Sequence, residues 1–125
     1  MNNQVIEEMK KYFAAGPIMD IDAFDRIYHP SFENIRMDEN GNCITLTKEQ
    51  FMSRFRQMKA TNQSLSPANE DTTYIGTTDF APYCSLLLKR IKQDVPVLYN
   101  FVWKQEEGEW FIIREFTVEK NISYL

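Results

Sequence analysis

The stretch VPVLYNFVWKQEEGEWFIIREFTVEK, residues 95–120, carries the strongest structural signal in the chain. It is rich in β-branched and aromatic side chains, which favour strands. The polar residues around Gly108 interrupt it and are typical of a turn, so the stretch predicts two strands, at 95–104 and 110–120. A connection this short joins strands that run in opposite directions, and we therefore expect an antiparallel hairpin.

Two segments of similar composition precede this stretch, over 72–80 and 83–92, and short turns separate them. The four segments together predict an antiparallel meander, in which consecutive strands pair side by side. Upstream of residue 60 the apolar period changes from two residues to between three and four, which is the period of helices. Helices segregated from an antiparallel sheet indicate the α+β class, with residues 1–125 forming a single domain.

Local signals in the first half predict three helices and one hairpin. The helices are expected over 3–15, over 22–28 and from residue 48 onward, and the hairpin strands over 32–37 and 43–46. Gly16 and Pro17 end the first helix, because glycine terminates helices and proline cannot continue one. Asp20 is the expected N-cap of the second helix, and Thr47 with Gln50 forms a capping box at the start of the third.

In a strand of a one-sided sheet, apolar and polar side chains alternate. The last predicted strand lacks this alternation. One alternating set is Trp110, Ile112, Arg114, Phe116 and Val118, and the other is Phe111, Ile113, Glu115, Thr117 and Glu119. Both faces of the sheet therefore carry large apolar groups, and both need to be covered. Because three helices can cover only one face, we expect a second copy on the other, which makes the protein a homodimer.

Charge and cysteine content disfavour several classes of partner. Fourteen Lys and Arg against eighteen Asp and Glu give a formal net charge of −4 without a basic run, so nucleic-acid binding is not expected. The nearest approach to a basic patch, Lys89, Arg90 and Lys92, is interpreted as a solvated strand end. Cys43 and Cys84 are interpreted as small buried hydrophobic residues in a reducing compartment. Because neither a secretory signal nor a long apolar stretch is found, we expect a cytoplasmic protein that does not enter membranes.

Residues that hold metals and common cofactors are scarce and scattered. His29 is the single histidine, and a His–Pro step at a helix end favours a helix cap or a bond to a backbone carbonyl over general-base or ligand work. Four isolated glycines form no phosphate-binding loop, and no nucleophile-elbow motif is present. The sequence therefore predicts no metal site and no cofactor.

Several short motifs, in the same order along nearly the whole chain, resemble the nuclear transport factor 2-like superfamily. The motifs are Tyr12–Ala15 (YFAA), Phe24–Pro30 (FDRIYHP), Thr47–Phe51 (TKEQF) and Gly108–Ile113 (GEWFII). The resemblance implies three N-terminal helices packed in the concave face of a strongly bent antiparallel sheet, a cystatin-like cone or half-barrel. It also implies a cone-shaped cavity between helices and sheet, and dimerisation through the convex sheet face. The superfamily includes ketosteroid isomerases, polyketide cyclases and lumazine-binding-like proteins, so the fold does not fix the function.

The resemblance to ketosteroid isomerases extends to only part of their site. Those enzymes have a tyrosine near the end of the first helix, which Tyr12 matches, and carboxylates on the first and penultimate strands. Rough alignment places Arg36 and Tyr99 at the two carboxylate positions, and neither is an acid. This departure disfavours steroid isomerisation. The scytalone dehydratase pattern needs a His–Asp pair inside the cavity, and the chain has one histidine.

Glu115 is the acid that the sequence singles out. The strand register implied by the resemblance places the alternating set that contains Glu115 on the side of the strand that faces the cavity. A carboxylate among aromatic side chains there has a raised pKa, which suits it to proton transfer. The hydroxyls of Tyr12 and Tyr99 are then candidate donors to a developing oxyanion. The alternative is a surface ion pair with Arg114 or Arg36, which follows if the strand register slips by one residue.

Three functions stay open at this point. The first is binding of a small apolar or aromatic molecule in a pocket, and its expected lining is Tyr12, Phe55, Tyr99, Phe101, Ile113 and Glu115. The second is a lyase or isomerase with Glu115, Tyr12 and Tyr99 as the catalytic candidates. The third is a non-catalytic module for dimerisation or partner docking, in which the aromatic side chains only fill the core.

Overall fold

The computed structural model describes residues 1–123, in which three α-helices pack on one face of a six-stranded sheet. The helices are α1 (Asn3–Ala15), α2 (Ile21–Ile27) and α3 (Lys48–Ala60), and a short 3-10 turn covers Asn69–Asp71. The strands are β1 (Tyr28–Met37), β2 (Cys43–Thr47), β3 (Thr73–Phe80), β4 (Tyr83–Lys92), β5 (Val95–Glu106) and β6 (Glu109–Val118). The predicted domain, residues 1–125, ends with Tyr124 and Leu125, which lie outside the described residues.

The predicted α+β class and cone-like architecture are confirmed, because the sheet is strongly curved without closing and carries the helices on its concave side. Its strand order is β2–β1–β6–β5–β4–β3, so β3 to β6 form the predicted meander. One pairing differs from the expected all-antiparallel sheet, since β1 runs parallel to β6. This parallel pairing joins a strand from the first third of the chain to a strand from the last third. Because no local turn connects the two strands, no signal in the sequence predicts their pairing.

Helix α1 has the predicted bounds and the predicted buried stripe. The Asn2 side chain accepts a hydrogen bond from the Val5 backbone N–H at 3.1 Å and so caps the first turn. The buried residues of the helix are Val5, Met9, Tyr12, Phe13 and Ala15. Their spacing places them on one face, which packs toward the sheet.

The connection between α2 and β1 differs from the prediction. Asp20 caps α2 as expected, accepting from the Ala23 N–H at 3.1 Å. The helix ends at Ile27 instead of residue 28, and β1 begins at Tyr28 instead of residue 32. His29 precedes a proline and is therefore biased toward extended backbone, so the strand continues through the His–Pro step instead of stopping at it.

The predicted capping box of α3 is present in full. The Gln50 N–H donates to Thr47 Oγ1 at 3.3 Å, and the Thr47 N–H donates to Gln50 Oε1 at 2.8 Å. The box fixes where the helix starts, and this determines which side chains face the sheet. The inward residues are Phe51, Met52, Phe55 and Met58.

A β-bulge in β6 decides which residues of the last strand face inward. Val102 pairs with Arg114 and Trp103 pairs with Ile112, so Ile113 is an extra residue on β6. The bulge resets the alternation, because Ile112 is fully buried before it and Glu115 and Thr117 are buried after it. The inward set therefore combines members of the two alternating sets in the sequence.

Among the described residues, no helix is long and apolar enough to cross a membrane.

Candidate functional site

A cavity of about 430 Å³ lies between the helices and the concave face of the sheet. Helices α1, α2 and α3 and strands β1, β4, β5 and β6 each contribute lining residues. Five of the six residues predicted to line a pocket are brought together there, namely Tyr12, Phe55, Tyr99, Phe101 and Glu115. The volume lies within the range of small-molecule sites in proteins.

Ile113 is the predicted lining residue that the cavity does not include. The prediction placed it in the alternating set of Glu115, two residues away on a regular strand. Because Ile113 is the extra residue of the β6 bulge, the side chain that faces the interior before Glu115 is Ile112.

Aromatic rings in mutual contact form the inner wall of the cavity. The Tyr12 ring lies 5.8 Å from that of Phe24 and 6.0 Å from that of Phe101, both in edge-to-face geometry. Phe24 packs on Phe55 at 4.6 Å, and Tyr99 stacks on Phe101 with 8° between the ring planes. These arrangements are the favoured ones for aromatic pairs, so the wall is built from rings that hold each other in place.

Glu115 is buried in this wall with 8% of its surface exposed. Its direct neighbour across the parallel β1–β6 pairing is Asn34, whose side chain donates a hydrogen bond to the carboxylate. The second carboxylate oxygen, Oε1, has no hydrogen-bond partner among the described residues. The surface ion pair with Arg114 is not formed, because Arg114 lies 3.3 Å from Glu33 instead.

The environment of Glu115 changes its acidity. Burial raises the pKa of the carboxyl to about 7, while the charge of the neighbouring Arg36 acts in the opposite direction. Glu119 raises this pKa further, and the hydrogen bond from Asn34 lowers it. The side chain therefore exchanges a proton near neutral pH, as the sequence analysis expected of a pocket carboxylate.

Arg36 lines the cavity from the strand on which the rough alignment placed it, and Asn34 is a buried neighbour of the site that the sequence analysis did not place there. Arg36 and Asn34 are 4% and 1% exposed, respectively, and both face inward from β1. A signal for them exists, because Phe32, Asn34 and Arg36 occupy alternate positions of one strand. Polar residues in phase with a buried phenylalanine indicate a polar group directed into the interior.

The hydroxyls of Tyr12 and Tyr28 form a hydrogen bond inside the aromatic cluster. Burial raises the pKa of both tyrosines well above the ordinary value, and the nearby Glu115 adds to this. The pKa of Tyr99 is raised for the same two reasons. All three phenols therefore stay protonated at neutral pH and keep their hydrogen-bond donors.

Two basic residues of β4, Arg90 and Lys92, also line the cavity. The Arg90 guanidinium lies over the rings of Phe13 and Tyr99, at 5.3 and 5.8 Å, and its Nε is 3.4 Å from Asp71. Lys92 Nζ lies 3.0 Å from Glu119. The sequence interpretation of this segment as a solvated strand end is therefore wrong for Arg90, whose guanidinium packs on two rings, whereas Lys92 does end β4 with a partly exposed side chain.

His29 lies outside the cavity. Its Nδ1 accepts a hydrogen bond from the Ser31 N–H at 3.0 Å, and its Nε2 is 2.8 Å from Glu106. Among the described residues, the histidine therefore neither caps the helix nor bonds a backbone carbonyl as the sequence favoured, but accepts from a backbone N–H within β1. In the part of the chain that the structure describes, no cluster of three or more His, Cys, Asp or Glu side chains is arranged to hold a metal ion.

Several solved structures share this architecture. An NTF2-like protein from Cytophaga hutchinsonii has a TM-score of 0.70 at 17% identity, over 94% of this chain and 98% of that one. An NTF2-like protein of unknown function from Silicibacter pomeroyi has a TM-score of 0.70 at 12% identity, over 90% of each chain. A candidate ketosteroid isomerase from Parabacteroides distasonis has a TM-score of 0.57 at 18% identity, over 91% of this chain and 83% of that one.

In sequence, neither a protein-family model nor a curated protein matches the chain. The structural likeness at these identities establishes the fold and no particular activity. It agrees with the order of helices and strands, with the curved sheet and with the motifs described above. The chain therefore has the nuclear transport factor 2-like fold.

Proposed function

We propose that the protein binds a small apolar or aromatic molecule in the cavity between its helices and sheet. The observation that carries this proposal is a cavity of about 430 Å³ whose inner wall consists of contacting aromatic rings. Burial of an aromatic ligand against such a wall supplies binding energy, while a few polar groups orient the ligand. Glu115 and Arg36 are buried polar residues that line the same cavity.

The proposal is tested with a substitution that fills the cavity. Met58 lines it from the last turn of α3, so Met58→Trp should occupy part of the space. We expect 2-naphthol, an aromatic probe of suitable size, to bind the wild-type protein. Its affinity for the variant should fall about tenfold or more, because the ring loses the apolar surface that it buries. Isothermal titration calorimetry measures both affinities.

Arg56→Trp is the matched control, since it introduces the same side chain on the exposed face of the same helix. It should leave the affinity for 2-naphthol unchanged. Circular dichroism of both variants establishes that the fold is kept. Binding of equal strength to wild type and to a folded Met58→Trp would place the probe elsewhere and contradict the proposal.

A second candidate function is an isomerase or lyase, which Glu115 favours. Its carboxylate has a pKa near 7, lies in the same cavity as Tyr12 and Tyr99, and keeps one oxygen without a partner. In such a reaction the carboxylate takes a proton from a carbon next to a carbonyl group, and a tyrosine hydroxyl donates to the resulting enolate oxygen.

This candidate is tested by proton exchange, which needs no knowledge of the natural substrate. In deuterated buffer, nuclear magnetic resonance follows the exchange of the α-hydrogens of 2-tetralone, a bicyclic ketone. An isomerase-type site should accelerate the exchange, and Glu115→Gln should reduce the acceleration about a hundredfold or more, with ligand affinity retained. If bound 2-tetralone exchanges its α-hydrogens no faster than it does in buffer alone, the isomerase or lyase function is contradicted and only the binding function stands.

We also propose that the chain forms a homodimer through the convex face of the sheet. The strand registers place Leu98, Val118 and Met37 in one outward row, and Leu87 and Phe116 in the next. Each of these residues is more than a third exposed, and Leu98 and Val118 reach 55% and 64%. Asn100 lies between Leu87 and Phe116, and Lys89 lies beside Leu98. A group of exposed apolar side chains of this kind on a monomer is typical of an interaction surface. The cytoplasmic location and the lack of a cofactor stay predictions of the sequence.

A further inference from the structure

We propose that the ligand of this cavity carries a neutral hydroxyl or N–H group at its inner end, and that Glu115 Oε1 accepts a hydrogen bond from it. This inference rests on the proposed binding function and defines the chemistry of one end of the ligand. Glu115 lines the cavity, is more than nine-tenths buried, and has no partner for Oε1 among the described residues. A buried carboxylate oxygen without a donor is unfavourable, so a ligand that supplies the donor gains a specific contact.

The carboxylate is held in place by β1. Asn34, 1% exposed, is paired with Glu115 in register and donates a side-chain hydrogen bond to it. Arg36, two residues further along the same strand, lines the cavity beside Glu115 and is 4% exposed. Because these neighbours are buried on a paired strand, they cannot turn toward solvent, and the acceptor offered to a ligand has a fixed position. Asn34 and Arg36 are thus positioning residues for Glu115.

The charge of the cavity wall selects a neutral donor over a cationic one. The charged lining residues are Arg36, Arg54, Arg90 and Lys92, with Asp71 and Glu115 as the only acids among the described lining residues. Asp71 lies 3.4 Å from Arg90 and Glu119 lies 3.0 Å from Lys92, so the acids near the wall still number one fewer than the four basic lining residues. A protonated amine would attract Glu115 but would also enter a wall with this small excess of positive charge, at low local dielectric. A hydroxyl or a neutral N–H reaches the same oxygen without this repulsion.

The protonation of Glu115 sets the pH at which the selectivity is greatest. The charged and polar groups that face it come from every element packed against it. They are Arg36 and Asn34 from β1, Arg90 from β4, Tyr99 from β5, Glu119 directly after β6, Tyr12 from α1 and Tyr28 at the start of β1. Burial raises the pKa of Glu115 to about 7, and the two arginines oppose this. Above that pH the side chain is a carboxylate that only accepts, whereas below it the side chain is an acid that also donates.

Two matched probes test the inference. 2-Naphthol carries a hydroxyl donor, and 2-methoxynaphthalene carries the same ring and oxygen without the donor. At about pH 8, calorimetry should show that wild type binds 2-naphthol about ten- to a hundredfold more tightly, as expected for a hydrogen bond to a charged acceptor. A third probe, 2-(aminomethyl)naphthalene, is a cation at this pH and should bind more weakly than 2-naphthol.

Glu115→Gln should reduce the preference for 2-naphthol about tenfold, because the amide oxygen is a weaker acceptor than a carboxylate, while 2-methoxynaphthalene keeps its affinity. Glu109→Gln is the matched control, since it removes an exposed carboxylate from the same strand at a position that does not line the cavity. It should leave the preference unchanged. At about pH 5.5 the wild-type preference should shrink, because Glu115 is then protonated.

The outcomes separate this inference from the function on which it rests. Equal affinities for the two neutral probes, both reduced by Met58→Trp, would overturn the donor inference and leave the binding function intact. A preference that survives Glu115→Gln in full would assign the contact to another group and also overturn the inference. Failure of both neutral probes to bind at millimolar concentration would overturn the binding function and the inference together.

Discussion

Glu115→Gln is expected to make the protein more stable at about pH 8, by about 3 kcal/mol in the free energy of unfolding, and to have almost no effect at about pH 4.5. The carboxyl has a pKa of about 7 in the folded chain against an ordinary value of 4.5. Between these values the folded protein holds a proton that the unfolded chain has released, so the stability of the wild type falls as the pH rises through this range. The neutral glutamine avoids the burial of a charge at any pH.

Urea unfolding at several pH values measures this effect as the difference between variant and wild type. Taking the difference removes the contributions of the other titrating groups, which are common to both proteins. Glu109→Gln is the matched control on the same strand, and its exposed side chain should change stability by less than about 0.5 kcal/mol at every pH. A Glu115→Gln variant with no gain between acid and alkaline pH would show that the buried carboxylate is not destabilising when charged.

The elements that local sequence could predict are those with local causes. The stripe of α1, the Asp20 cap, the Thr47–Gln50 box and the turns of the meander each depend on residues within a few positions of one another. These signals located the helices and four of the strands to within a few residues. Five of the six expected lining residues do line one cavity. They could be predicted because the family resemblance supplied the overall arrangement of helices and sheet.

The features that were missed depend on contacts between distant parts of the chain. The parallel pairing of β1 with β6 joins residues some eighty positions apart, and it places Asn34 beside Glu115. The bulge at Ile113 is a property of the pairing with β5, and a single strand read by itself gives no sign of it. Arg90 was interpreted as part of a solvated strand end. Its guanidinium instead packs on the rings of Phe13 and Tyr99, two contacts with distant parts of the chain that its own segment does not indicate.

Leu98→Glu is expected to convert a homodimer into a monomer. Leu98 lies in the outward row of β5, between Lys89 of β4 and Val118 of β6, and is 55% exposed in the single chain. In a two-fold symmetric interface each substitution is present twice, so two carboxylates, each with Lys89 of its own chain as the cation directly across the strand pairing, would be removed from water against apolar side chains. Because each costs several kcal/mol, the dissociation constant should rise at least about a hundredfold.

Sedimentation equilibrium over a range of concentrations measures the dissociation constants of wild type and variant. Ile18→Glu is the matched control, because Ile18 is 72% exposed in the α1–α2 connection, away from the sheet. It should leave the dimer intact, and Leu98→Glu should still bind 2-naphthol, since the cavity lies on the opposite face of the sheet. A wild-type chain that stays monomeric at concentrations of several hundred micromolar, or a Leu98→Glu variant that stays dimeric, would contradict the convex-face dimer. The helices cover only the concave side of the sheet, so a monomeric wild type would mean that a single chain keeps this apolar face in water. A dimeric Leu98→Glu variant would mean that the chains pair through another surface.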